Sequence, residues 1–234
     1  MQAQLLKPEL VVLYGSRKKE SDIDLLLVYE NGPIEKNQIK DNYDLSQVTK
    51  SDYLFRLTNW DLEYTEPILT GSFVEGNNEL FKSSLEYLKN NKPNEQNLDY
   101  LNKRSIETFF QAKKLYELGK NNLLTDMFKQ SKSADEICNT LLKNKSEQIQ
   151  TFDVLKSLSV LTYSLSYLSF RQKYEMGNSN VTLSNVLEFP KTDLDKKLLD
   201  LRMYVKLNKK TGAVTLNNSN DHFLDAEKLL KKYI

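Results

Sequence analysis

Residues 21–29 read SDIDLLLVY, with two aspartates two positions apart at the head of an apolar run. Few patterns restrict a fold as strongly. The run Leu25-Leu26-Leu27-Val28, bounded by turn residues, reads as a strand. Unbroken apolar character predicts that the strand is covered on both faces. Asp is a poor strand former, and a carboxylate taken out of water is costly unless it is paired, hydrogen-bonded or bound to a metal. Side chains alternate along a strand, so Asp22 and Asp24 point one way and Ile23 the other, with the two Asp Cα atoms about 6.5 Å apart. Carboxylates at that spacing can converge on one metal centre. A solvated strand face is the competing explanation, and the apolar run that follows argues against it.

The surrounding chain is organised in two textures. Up to about Gly76, short apolar runs such as LVVLY and YDLSQV are separated by turn residues, including Gly15-Ser16 and ENGPI. These read as strands. Beyond that point Gly and Pro are sparse and apolar residues recur at helical spacing, which predicts helices near 80–88, 98–118, 152–174, 183–187, 194–207 and 223–234. In the third of these, Val154, Leu158, Leu161, Leu165 and Leu168 fall on one face, as core packing would require. Asn220 or Asp221 is the expected cap of the last helix, after a loop NKKTGAVTLNNSN. The class is therefore α+β, with an N-terminal domain over 1–76 and an all-α helical bundle over 77–234. A chain of 234 residues is long enough to bury a core without disulfides.

Composition removes several functional classes. Lys and Arg (33) nearly balance Asp and Glu (32), so the net charge of +1 gives no support for a nucleic-acid coat or a polybasic membrane anchor. Nucleic-acid binding would need a local patch built from dispersed lysines. Cys138 is the single cysteine and cannot form an intrachain disulfide, and Pro8 breaks any secretory-type N-terminal segment. The most apolar stretch, Val154 to Phe170, is interrupted by Lys156 and several hydroxyl residues. No membrane span and a cytoplasmic setting are the expectations. With one histidine and one cysteine, zinc sites and Ser/His/Asp or Cys/His hydrolase centres are excluded. His222 reads as a surface or capping residue, and Trp60 as a packing residue or a cleft wall.

An apolar strand, Gly-Ser, and Asp-x-Asp in a second apolar strand together resemble the signature of the DNA polymerase β-like nucleotidyltransferase superfamily. The similarity is to its minimal and kanamycin nucleotidyltransferase-like members in particular. Members carry a third acid on a neighbouring strand, and in NYDLSQVTKSDYLFRL that acid is Asp44, with a helix opening at Ser51 or Asp52. Asp41 sits in a more polar run and reads as a loop residue. DLEYTEPILTGSFVEG looks like the close of such a domain, where a last strand returns to the sheet. The resemblance covers about residues 9–76 and implies a small mixed sheet flanked by helices.

It also implies a chemistry. Asp22, Asp24 and Asp44 would be the catalytic acids and hold Mg²⁺ or Mn²⁺, and Gly15, Ser16, Arg17 and Lys18 would hold the phosphates of an NTP such as ATP. A nucleoside monophosphate would pass to an acceptor hydroxyl with release of pyrophosphate. The acceptor could be a small molecule, a protein as in antitoxin-type enzymes, or an RNA end as in toxin-type enzymes. In much of the family the gap between Gly-Ser and the first metal Asp is longer than the seven positions from Gly15 to Asp22. The alternative is a catalytically degenerate relative that kept the fold as an interaction or scaffold protein. In either case the helical domain would serve acceptor binding, homodimerisation or a partner protein.

Overall fold

A computed structural model describes residues 7–15, 23–31, 38–40, 43–129, 149–150, 152–178, 181–211, 213–214 and 216–233. The chain divides into two compact units, Met1–Leu101 with Lys173–Leu183, and Asn102–Gln172 with Ser184–Ile234.

The first unit is built on five strands: β1 Leu10–Tyr14, β2 Ile23–Tyr29, β3 Gln38–Lys40, β4 Tyr43–Thr49 and β5 Ser72–Gly76. They lie in the order β3-β4-β2-β1-β5. β2 and β4 run parallel while the other neighbours are antiparallel, so the sheet is mixed, as expected. β5 returns to pair with β1, in agreement with the reading of ILTGSFVEG. The three-residue β3 carries no apolar run that would announce it.

One face of this sheet holds the core. Leu10, Val12, Leu26 and Val28 are fully buried and Val48 nearly so. The expectation that β2 is covered on both faces is corrected. Leu25 and Leu27, on its other face, are only half-buried, and Ile23 is exposed. An apolar run records that both faces are shielded to some degree, and it does not separate full cover from half cover.

Three helices accompany the sheet. α1 spans Lys50–Thr58, and the Thr49 hydroxyl at its N-cap accepts from the Asp52 N–H at 3.2 Å. It therefore opens just before the expected Ser51 or Asp52. The chain leaves α1 through a Schellman turn, in which the Trp60 N–H donates to the Leu57 carbonyl and the Asp61 N–H to the Arg56 carbonyl, both at 3.0 Å. Trp60 is fully buried, 6.3 Å from the Tyr87 ring and 5.3 Å from the Tyr174 ring, so it is a packing residue. α2, Leu62–Thr70, starts from an Asp61 cap and contains Pro67. A Cβ on Gly71, the residue after it, would lie 2.2 Å from the Pro67 carbonyl and 2.7 Å from Val12 Cγ1. Only glycine lets α2 end this close to β1. α3, Asn78–Asn90, is capped by Asn77.

Helices make up most of the rest: α4 Glu95–Lys129, α5 Phe152–Glu175, α6 Leu183–Glu188, α7 Asp193–Thr211 and α8 Leu216–Tyr233. The expected apolar face of α5 is in the core, with Val154, Leu158, Leu161, Leu165 and Leu168 at most 2 % exposed. Ser157, Ser164, Ser166 and Ser169 are buried too, and Ser164 exchanges hydroxyl-to-carbonyl bonds of 2.8 Å with Ser105 of α4. That reciprocity satisfies two buried hydroxyls where the helices meet. At the head of α7, Asp195 is fully buried, accepts from the Lys191 and Thr192 N–H groups, and also accepts from the Ser169 hydroxyl.

Two expectations fail at the C-terminal end. Residues 208–220 are not simply a loop. α7 continues to Thr211, Ala213–Val214 pairs with Ile149–Gln150 in a short ribbon, and α8 begins at Leu216. Consequently Asn220 and Asp221 lie inside the helix rather than at its cap, and Ser219 is buried. The weak helix propensity of Asn and Ser was overridden by packing. His222 is likewise not a surface or capping residue but a half-buried one, with its ring 4.9 Å from that of Tyr204. Among the described residues no helix is long and apolar enough to cross a membrane.

Candidate active site

Three strands bring Tyr14, Asp24 and Asp44 together at one end of the sheet. In β1 and β2, Tyr14 lies opposite Asp24. In β2 and β4, Asp24 lies beside Asp44. Because alternate residues share a face, Tyr14, Asp24 and Asp44 form a row on the face that deeper in the sheet buries Val12, Leu26 and Val48. Both aspartates are partly exposed, at the open end of that face.

The sequence separation between the acids hides how near they are. Twenty positions apart in the chain, they sit on adjacent strands at the same level, about 4.8 Å apart in the pairing direction. Two carboxylates so placed are oxygen donors of the kind a hard divalent cation takes. Carboxylate oxygens are the donor type that Mg²⁺ and Mn²⁺ take.

Gly15 contributes space and a turn. Its φ is +79°, a left-handed conformation that other residues adopt at a cost, and a Cβ there would stand 1.8 Å from Asp24 Oδ2. The Asp24 carboxylate thus occupies the volume that any other side chain at position 15 would claim.

Of the residues expected from sequence, Gly15, Asp24 and Asp44 are brought together. Asp22, Ser16, Arg17 and Lys18 lie outside the described residues, as do Asp41 and Cys138. Among the described residues no group of three His, Cys, Asp or Glu side chains could hold a metal ion, and Asp24 and Asp44 supply two carboxylates.

Sequence reasoning missed Tyr14 and Ser46, whose hydroxyl groups are 3.1 Å apart. The signal was parity: Tyr14 belongs to the face of Val12, and Ser46 follows Asp44 by two. At the opposite end of the sheet, Lys50 binds Glu9 at 2.7 Å and Glu30 at 3.0 Å. These bonds, to Glu9 first and then Glu30, raise the Lys50 pKa, and the cluster ties β1, β2 and α1 together well away from the acids.

No family model matches the sequence, and no curated protein is detectably similar to it. Among solved structures, the chain is similar to a nucleotidyltransferase-like protein from Exiguobacterium sibiricum. The identity is 12 %, the match covers 88 % of this chain and 71 % of that one, and the TM-score is 0.33. At this level of likeness the reading of the site rests on the chain's own residues.

Proposed function

We propose that this protein is a metal-dependent nucleotidyltransferase, and that its first unit is a version of the nucleotidyltransferase fold. One observation carries the reading. Asp24 and Asp44, separated by twenty residues, are register partners on parallel strands beside a glycine turn shaped around one of their carboxylates. A carboxylate pair of this kind, at an open strand end, is what binding of a metal–triphosphate requires.

In this reading Asp22, Asp24 and Asp44 hold Mg²⁺ or Mn²⁺, which supplies positive charge to the phosphate oxygens of an NTP. Gly15 and Ser16, with Arg17 and Lys18, hold and orient the triphosphate through backbone N–H groups and cationic side chains. Asp44 accepts the proton of the acceptor hydroxyl as that oxygen approaches the α-phosphorus. The new bond joins the acceptor oxygen to the α-phosphate, and pyrophosphate leaves. The acceptor is a small molecule, a protein or an RNA end, in the cytoplasm, engaged through the helical part of the chain.

The test pairs binding with transfer. Calorimetry with Mg²⁺ and each of the four NTPs should show binding by the wild-type protein and none by the Asp24→Asn/Asp44→Asn variant. With α-labelled NTP and a cell extract, the wild type alone should place label on an acceptor. Unchanged binding in the double variant would overturn the assignment. No heat from any NTP with the wild type would instead favour the non-catalytic interaction protein.

A further inference from the structure

The Tyr14–Ser46 hydrogen bond has a path that the strand register defines. Tyr14 begins opposite Asp24 on β1. Ser46 lies on β4, two strands away, beside Leu26 of β2 rather than beside Asp24. To place its hydroxyl 3.1 Å from Ser46 Oγ, the Tyr14 side chain must cross β2 diagonally, between the level of Asp24 and that of Leu26. On one side of the crossing is the acid pair, and on the other the fully buried Leu26 and Val28.

We infer that Tyr14 is a positioning residue for the acid pair, with its ring as the inner wall of the metal site and Ser46 as the anchor of that wall. This inference rests on the nucleotidyltransferase reading of the same residues.

The physical case has three parts. A phenol ring offers an apolar edge to the core and a polar tip that needs a partner when half-buried, and the Ser46 hydroxyl provides one. The pinned ring blocks the Asp24 and Asp44 carboxylates from folding inward and leaves them directed to the open end of the strands, where a solvated cation arrives. Gly15 limits Asp24 from the turn side, so Asp24 is held between a wall and a turn. Ligands constrained in this way lose less freedom when they bind, and removing the partners that orient a ligand set typically weakens metal affinity by about 10- to 100-fold.

The experiment measures Mn²⁺ binding to the full-length protein by electron paramagnetic resonance, with thermal melting in parallel. Four variants are compared: Tyr14→Phe, Ser46→Ala, Ser46→Thr and Asp24→Asn/Asp44→Asn. Tyr14→Phe keeps the ring and loses the anchor, so it should retain the fold while raising the Mn²⁺ dissociation constant about 10-fold. Ser46→Ala should match it, and Ser46→Thr, which keeps a hydroxyl and suits a strand, should restore wild-type affinity. If the wild type binds Mn²⁺, the double variant does not, and Tyr14→Phe and Ser46→Ala bind as the wild type does, the positioning role is overturned while the metal site stands. If Ser46→Thr fails to restore affinity, the anchor is overturned. If the wild type itself binds no Mn²⁺, the metal reading and this inference fall together.

Discussion

Gly15 at φ +79° and Trp60 at +60°, both in the first unit, hold a left-handed backbone for opposite reasons. At Gly15 the missing side chain is the point, since Asp24 fills its place. At Trp60 the side chain is the point. It occupies the position after α1 that glycine usually takes in a Schellman turn, and a bulky residue there bears about 1–2 kcal/mol of steric strain. Burial of the indole against Tyr87 and Tyr174 offsets that strain. Trp60→Ala is expected to destabilise the protein by about 3–5 kcal/mol. Trp60→Gly loses the same ring but relieves the backbone, and should be the more stable of the two by about 1 kcal/mol. Denaturant midpoints of the two variants give the comparison, and a glycine variant weaker than the alanine one would show that the turn carries no strain.

At the scale of elements, local chemistry decides where each begins. Thr49→Ala removes the hydroxyl that receives the Asp52 N–H at the start of α1, and should lower stability by about 1 kcal/mol in urea unfolding. Strands β1, β2 and β4 were legible because their apolar runs end at turn residues, and α5 because its leucines keep a helical period over its whole length. Asp44 could be chosen because the family that the chain resembles carries a third acid on a neighbouring strand, and a single acid stood there among strand-forming residues. What escaped the sequence was of three kinds. β3 is three residues with no pattern to detect, and the start of α8 lies in LNNSN, where propensity pointed to a loop and packing of Ser219 and Phe223 prevailed. The Tyr14–Ser46 bond needed the order of strands, which no local signal contains.

For the whole molecule, stability should depend on pH through His222 of the second unit. Burial, and then Lys197, hold its pKa below the ordinary histidine value, while Asp200, Asp221 and Asp225 act in the opposite direction. Tyr204 packs on the ring. Above about pH 6.5 the residue is neutral whether the chain is folded or not. As pH falls below that value the unfolded chain takes up a proton that the folded one resists, so stability declines until the folded pKa is passed. Melting temperature should fall between pH 7.5 and 5.5, and less so in His222→Gln. Equal slopes in the two proteins would remove the histidine from the account. The Lys197–Asp225 pair, 2.6 Å long and partly exposed, lowers the Asp225 pKa and adds its own loss at more acidic pH, below the usual carboxylate range.

The parallel pairing of β2 with β4 also makes the acid pair a property of sheet assembly rather than of any one segment. A slip of a single residue between these strands would turn Asp44 to the opposite face and away from Asp24, while leaving the apolar content of both strands intact. A compact but misregistered chain would therefore pass every test of collapse and still lack the site. In the proposed site, metal affinity would report alignment, and selection acting on the two carboxylates would at the same time hold the alignment of the strands that carry them.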